Sequence, residues 1–415
     1  MLGLDLLLIA AALAGHIGLW ATIVNQVHAT ALPQSVIKPV TYFGLSFLCA
    51  APLGAIAWTW YAGAIGTAGI EFASLPWTLA LYGGLTALLS PGTLVWLWRY
   101  GAHRQQAPAL KKTDSQRLDM PTRLGRHPMG AGLRAMITRL PGNQCFQLDV
   151  TEKHLEVPRL PEALDGLSIA HLSDLHFTGA IDRGYYREVV SIANDFQPDL
   201  IAVTGDLVDK PGCIDWIADT VGQLRATHGV YVILGNHDER LKRHLGRLRA
   251  ALDACDLVQL GGRWRQISID GSPLVLAGNE LPWLVPAADL SDCPTREVDG
   301  QPLRILLSHS PDQYAWARHR DFDLMLAGHT HGGQIRFPLV GAVFAPSRYG
   351  VRYACGVFHE PPTVMHVSRG LSGLDPLRYN CAPELTKLVL RSPAALAGAR
   401  RVQFAEHEDQ LVAQR

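Results

Sequence analysis

The sequence predicts an α/β fold carried behind three membrane-spanning helices, and two observations predict it. Before Arg99 the only Asp, Glu, Lys or Arg residues are Asp5, Lys38 and Glu71, so the first hundred or so residues have the composition of a segment dissolved in lipid. From Leu167 onward, short apolar runs end in polar clusters and give way to amphipathic helical patterns, as βαβ units around a parallel sheet require. A chain of 415 residues exceeds one ordinary domain, in keeping with two units of different physical logic.

The first span runs from about Leu6 to Val24, with His16 and Asn25 as its polar liabilities. A cleaved signal peptide fits poorly, because Met1 to Asp5 carries no positive charge and further apolar segments follow. The second span, about Val40 to Ile65, ends in Trp58, Trp60 and Tyr61. The third, about Leu75 to Trp98, is bracketed by Trp77 and by Trp96, Trp98 and Tyr100, as amphipathic rings at a lipid–water boundary should be. Pro52 and Pro91 lie inside these runs, tolerable in lipid where neighbouring helices satisfy the freed carbonyls. A buried bundle in a soluble protein is the competing reading, and three charge-free stretches in succession argue against it.

Lys38 is expected in the first loop and Glu71 in the second, while Arg99, Arg104, Lys111, Lys112, Arg117, Arg123 and Arg126 follow the last span. The positive-inside bias then puts the remainder of the chain in the cytoplasm, as part of a multi-pass inner-membrane protein whose N-terminus is outside. Residues 101–145, with Pro108, Pro121 and Pro128, read as a basic juxtamembrane linker, either a solvated tether or a segment lying on anionic headgroups.

Lys plus Arg (37) equals Asp plus Glu (37), which removes the electrostatic footprint of a nucleic-acid partner. The 7 cysteines are scattered without a CxxC pair, so they form neither a disulfide framework nor a zinc cluster, and they favour a reducing compartment.

The soluble part carries its chemistry at strand ends. A strand over LSIAHL leads into Asp174 and His176; LIAVT leads into Gly205, Asp206 and Asp209; GVYVIL leads into Gly235, Asn236, His237 and Asp238. Helices are expected near Arg183 to Phe196, Cys213 to Ala226 and Arg240 to Ala251. The clusters recur at about the length of one βαβ step, so successive strand ends can deliver ligands to one point beyond the sheet. Further on, Arg304 to Leu307 ends at His309, and Met325 to Gly328 leads into His329 and His331. Carboxylate and amide oxygens with imidazoles, and no thiolates, suit Mn²⁺, Fe or a catalytic Zn²⁺ better than a structural zinc. A lone DxH or HxH is more often surface polarity or a satisfied core histidine; the weight comes from the blocks together.

Taken together, DxH, GDxxD, GNHD, a later His and GHxH resemble the pattern of the calcineurin-like metallophosphoesterases over about Phe146 to Arg391. ILLSHSPD, AGHTHGGQIRFP, VSRGLSG and NCAPEL resemble more closely a bacterial subgroup often fused to transmembrane helices and linked to phospholipid or UDP-diacylglucosamine pyrophosphate hydrolysis. The resemblance implies a four-layer α/β/β/α sandwich over residues 146–391, after a membrane region 1–100 and before a tail 392–415. It implies two divalent metal ions, Mn first with Fe or Zn as alternatives. Asp174, His176 and His331 would hold one, Asn236, His309 and His329 the other, and Asp206 both. His237 would stay unliganded beside the substrate, oriented by Asp209, while a metal-activated water attacks phosphorus in line. The expected partners are membrane lipids and a lipid-linked phosphoester, without nucleic acid; the oligomeric state is not legible.

Other residues are assigned more modestly. His171 reads as core packing, Asp238 as a helix N-terminal charge, His228, His244, His319 and His366 as structural, and Arg336 and Arg369 as ion-pair or surface residues ahead of phosphate ligands. The apolar run Leu281 to Pro286 reads as core packing ahead of acyl-chain contact. Two other functions compete: a phosphoprotein or cyclic-nucleotide phosphatase merely localised to the membrane, and a scaffold that kept the fold without the chemistry.

Overall fold

The computed structural model describes residues 2–62, 65–66, 69–70, 75–102, 107–294 and 302–398. The chain forms two compact units, one of Met1–Gln105 with Pro338–Arg352, the other of Gln106–Phe337 with Tyr353–Arg415. Glu71, Arg104 and residues 399–415 of the expected tail lie outside the described residues, as do the side chains of Arg99 and Tyr100.

In the first unit, α1 (Leu2–His28), α2 (Gln34–Tyr61) and α3 (Trp77–Ala102) contain the 3 segments that, among the described residues, are long and apolar enough to cross a membrane, Leu4–His28, Gln34–Tyr61 and Trp77–Trp98. The second starts and stops earlier than expected, because extended Pro33 caps it and Ile65 belongs instead to a short ladder with Ile70. Lys38 therefore lies inside α2 and not in a loop, near an end where its long stem can carry the ammonium towards water.

The polar residues of α1 are satisfied within this unit. His16 bonds the Tyr82 hydroxyl (2.5 Å) and the Leu48 carbonyl (3.2 Å). Asn25 donates to the Val343 carbonyl (3.2 Å) and accepts from the Ala345 N–H (2.9 Å), while Gln26 donates to the Arg348 carbonyl (2.7 Å). A Cβ on Gly15 would fall 1.7 Å from the Thr86 carbonyl oxygen, so α1 and α3 approach at backbone contact, as small residues permit in lipid.

The second unit is built on a seven-stranded and a six-stranded sheet. The first contains β1 (Leu110–Asp119), β2 (Gln147–Glu156), β3 (Ser168–Leu172), β4 (Leu200–Thr204), β5 (Val230–Ile233), β6 (Val258–Gln259) and β13 (Glu384–Arg391), ordered β1-β2-β13-β3-β4-β5-β6. The second contains β7 (Trp264–Ile269), β8 (Ser272–Asn279), β9 (Leu303–Ser308), β10 (Leu324–Ala327), β11 (Gly356–Glu360) and β12 (Thr363–Val367), ordered β11-β12-β10-β9-β8-β7. β3 to β6 run parallel, as do β8, β9, β10 and β12, so their carboxyl ends share a rim.

Alternation along the strands separates two cores. Ile169, Leu200, Ala202, Tyr231 and Ile233 point between the sheets against Leu276, Ile305, Leu307 and Leu326. Ala170, Leu172, Ile201, Val203 and Val232 point outward to the helix side, where α5 (Arg183–Asp195) and α6 (Leu245–Asp253) bury Val189, Val190 and Leu248. The inter-sheet layer also contains a charged network. Lys153 bonds Glu384 (2.6 Å) and His366 (3.1 Å), Arg369 joins Glu384 to Asp149, and His366 meets His171 at 2.9 Å.

The expected linker over 101–145 is not a linker from Leu110 onward, because β1 pairs with β2 along its length. Several of its cations are engaged there: Lys111 with Glu156 (2.7 Å), Arg117 with Asp149 (2.6 Å), Arg123 with Glu188 and Arg126 with Asp182 (both 2.5 Å). As an edge strand with mostly exposed side chains, β1 carries no hydrophobic alternation to announce it. In α4 (Leu133–Thr138) of the same stretch, Ala135 and Thr138 face the protein.

Candidate metal centre

The turns that follow β3, β4, β5, β9 and β10 bring the expected residues to one rim. Asp174, His176, Asp206, His329 and His331 all adopt left-handed backbone, with φ between 49° and 70°. That conformation costs free energy at any residue with a Cβ, so its recurrence marks loops shaped to aim side chains. Close backbone approach does the rest: a Cβ on Gly205 would lie 2.6 Å from His309 Nδ1, and one on Gly235 would lie 2.2 Å from Asp206 Oδ1.

Two donor groups result, each with ligand atoms within 4.8 Å of one another: Asp174, His176, Asp206 and His331; and Asp206, His309 and His329. Asp206 belongs to both, its Oδ2 lying 3.5 Å from His176 Nε2 and 3.3 Å from His309 Nε2. Asn236 joins the second group through Oδ1, 3.1 Å from His309 Nε2.

The chemistry of these donors fits cations. His176 Nδ1 donates to Asp209 Oδ2 (3.0 Å), His309 Nδ1 to the Thr204 carbonyl (2.7 Å) and His331 Nδ1 to the Ser372 carbonyl (3.1 Å). In its neutral form each ring, with Nδ1 committed in this way, presents an Nε2 lone pair to the cluster. Those lone pairs face one another, with His176 Nε2 3.1 Å from His331 Nε2 and His309 Nε2 3.2 Å from His329 Nδ1. Buried nitrogens so placed need either a shared proton or a cation between them, and a metal ion would satisfy several at once.

The charges of the polypeptide divide accordingly. Burial pushes the Asp206 carboxyl up, but the imidazoles of His309, His237 and His176 outweigh it and hold the group well below the ordinary range. Asp174 goes the other way, raised by burial. Burial lowers His176 and His309, yet Asp209 for the first and Asp206 for the second raise each to about 9. Asp174, Asp206, Asn236, His309 and His329 are buried, and the cluster opens at His331, His237 and Asp209.

His237 stands in a third group, with His176 and Asp209. Its Nδ1 donates to Asp209 Oδ1, and its Nε2 accepts from Arg240 Nη1 at 2.7 Å. Burial holds His237 below its usual pKa. Asp209 thus accepts from two rings, one on the candidate metal ligand His176, a double duty the spacing GDxxD does not reveal. Arg240 is a residue that the sequence reading did not assign to the site, and its only signal is its position one turn after His237.

Asp238 is more than a helix-start charge. Fully buried, it accepts from the backbone N–H groups of Leu207, Val208 and Gly235 at 2.9–3.2 Å, tying the loop of Asp206 to the loop of Asn236. Burial and Asp206 raise its carboxyl to about 7. Asp238→Ala is expected to destabilise the chain on the order of 3 kcal/mol, since three buried donors lose their acceptor. A thermal melt of the purified variant checks this, and an unchanged midpoint contradicts it.

The remaining assignments also resolve. His171 bonds His366 and Thr204, and Arg369 is committed to Asp149 and Glu384. Arg336 donates to the Gly332 carbonyl and the Cys355 sulfur. In the apolar run, Leu284 packs on the helix-side core, but the Trp283 ring lies 4.6 Å from the His329 ring and 5.6 Å from that of His309. The run is therefore part of the site's wall and not only of the core.

Comparison with known proteins gives the following. A family profile described as calcineurin-like phosphoesterase matches residues 167–333. The uncharacterized metallophosphoesterase YkuE of Bacillus subtilis (strain 168) is 31% identical over 257 residues, covering 59% of this chain and 86% of that protein. The phosphodiesterase YaeI of Escherichia coli (strain K12) is 31% identical over 227 residues, covering 54% of this chain and 81% of that protein. A transmembrane protein with metallophosphoesterase domain from Danio rerio is 28% identical over 266 residues, covering 58% of this chain and 57% of that protein.

Proposed function

Because this chain belongs to the calcineurin-like phosphoesterase family, we propose that it hydrolyses a membrane-associated phosphoester or pyrophosphate with the help of two divalent metal ions. Hydrolysis of phosphoester bonds is its activity class. The observation that carries the finer reading is Asp206, one carboxylate common to two groups of metal-competent donors.

Asp174, His176 and His331 would hold one ion and Asn236, His309 and His329 the other, with Asp206 touching both. When bound, such a pair, with Mn²⁺ first and Fe or Zn as alternatives, activates water and neutralises phosphoryl oxygens. His237 stands at the open side of the cluster, where Asp209 keeps Nδ1 protonated and Nε2 accepts from Arg240; once it takes up a proton, Nε2 would be placed to pass it to the leaving oxygen. Arg240, against Nε2, adds positive charge where the anionic ester arrives. Asn236 contributes a neutral oxygen, which spares the ester a further repulsive carboxylate.

The three apolar helices support a lipid-linked substrate such as UDP-diacylglucosamine, and Trp283 supplies an apolar wall beside the donors. The cations Lys38, Lys111, Lys112 and Arg117 support an inner-membrane protein with this domain in the cytoplasm. The test uses the full chain in detergent, stripped by a chelator and then reloaded. Mn²⁺ is expected to restore hydrolysis of an aryl phosphodiester, and UDP-diacylglucosamine in mixed micelles is expected to exceed soluble nucleotides and phosphopeptides in kcat/KM. Full activity after chelation sinks the metal requirement; a preference for a soluble substrate sinks the lipid assignment.

A further inference from the structure

Beside the candidate centre, three neighbouring segments of the sheet unit expose apolar side chains together. On α4 and just after it, Leu133 (74% exposed), Met136 (64%) and Leu140 (47%) recur at one helical face, while Ala135 and Thr138 turn inward. The stretch is stitched to its neighbour by Asn143, which donates to the carbonyls of Ile137 (2.9 Å) and Pro376 (2.8 Å), and by Tyr379, whose hydroxyl donates to the Pro141 carbonyl (3.1 Å). That neighbour exposes Leu374, two residues from the Ser372 carbonyl that fixes His331. Tyr379 also accepts from the Arg336 N–H (2.9 Å), which brings in the third segment and its exposed Phe337.

Single exposed leucines need no explanation, but five large apolar side chains on linked segments at the edge of one site do. Their charge setting narrows the occupant. Arg134 and Arg139 are exposed between them and, unlike Arg117, Arg123 and Arg126, make no ion pair among the described residues. Asp375 is the only acidic residue in 128–145, 334–337 and 372–380. Apolar side chains at helical spacing with interspersed arginines match the acyl–headgroup boundary of an anionic bilayer, and a chain with three helices apolar enough to span a membrane is held within reach of one.

We propose that Leu133, Met136, Leu140, Phe337 and Leu374 form a surface that seats on an anionic phospholipid leaflet beside the site, so that a lipid-linked ester enters without leaving the bilayer. This deepens the lipid-linked reading above and rests on it for its purpose, but its contact can be measured without turnover.

The full chain, carrying an environment-sensitive fluorophore at Met136→Cys, is reconstituted into phosphatidylglycerol-containing vesicles. Its control carries the label at Gly246→Cys on α6, where an added Cβ meets nothing within 4 Å. Lipids brominated in the acyl chain are expected to quench the label at 136 and not that at 246. An unquenched label at 136, equal quenching at both positions, or a blue-shifted but unquenched label at 136, which signals a protein neighbour, each overturns the proposal. The unlabelled triple variant Leu133→Glu, Met136→Glu, Leu140→Glu is expected to lose on the order of tenfold in turnover of a vesicle-borne ester while keeping hydrolysis of a soluble aryl ester. Equal loss on both substrates, or none on either, also overturns it; quenching at 136 without metal-dependent hydrolysis would leave the surface standing and sink the enzymatic reading instead.

Discussion

Asp206→Ala is expected to lower Mn²⁺-stimulated phosphoester hydrolysis on the order of 10³-fold or more and to leave the chain short of its metal complement. The size follows from position. Asp206 Oδ2 lies between His176 Nε2 and His309 Nε2, while Oδ1 accepts the His237 N–H at 2.8 Å. Its removal therefore takes a shared anion from both donor groups and loosens the turn that aims His237. Metal analysis of the purified variant separates these losses from unfolding if its melting transition is retained. Wild-type activity with wild-type metal content would end the idea that one carboxylate serves two cations.

The second large effect is a contrast. His237→Ala is expected to lower kcat on the order of 10²- to 10⁴-fold with metal content intact, because no metal-ligand role is assigned to the lost ring. Asp209→Asn is expected to lower kcat as well and also to weaken metal affinity on the order of 10- to 100-fold, because Asp209 accepts from His176 as well as from His237. If Asp209→Asn binds metal as tightly as His237→Ala does, Asp209 acts on His237 alone. Combining the two substitutions is expected to be non-additive in kcat, since the part of the Asp209→Asn loss that runs through His237 is already gone in His237→Ala and only the part through His176 remains.

The residues of the site were legible because ligand chemistry demands particular side chains at strand ends, and βαβ spacing says which ends can meet. Asp174, His176, Asp206, Asn236, His309, His329 and His331 stood out as candidates on that ground, among neighbours such as Asp209, His237 and Asp238, and their division into two ligand sets came from the family resemblance. Geometry between loops was not legible. That Asp209 serves two rings, that Asp238 gathers three N–H groups across loops, and that Trp283 lies against His329 all depend on contacts between distant segments. The fold divides along similar lines. β3 to β5 announce themselves as apolar runs buried on both faces, whereas β1 shows most of its side chains to solvent and is held by ladder hydrogen bonds and ion pairs that leave no periodic trace. In α1, His16 and Asn25 looked like defects of a span because the groups that satisfy them, Tyr82 and the backbone at Val343 and Ala345, lie far along the chain.

The bonds from Asn25 and Gln26 to Pro338–Arg352 bear on how the protein can be handled. A fragment that begins after α3, the obvious way to obtain a water-soluble catalytic piece, keeps this excursion but discards its docking helix. The orphaned stretch would carry Leu339, already 91% exposed, and the carbonyls of Val343 and Arg348 without their side-chain donors. Clipping the chain between α3 and β1 therefore breaks a discontinuous unit and creates a sticky flap a few residues downstream of His331.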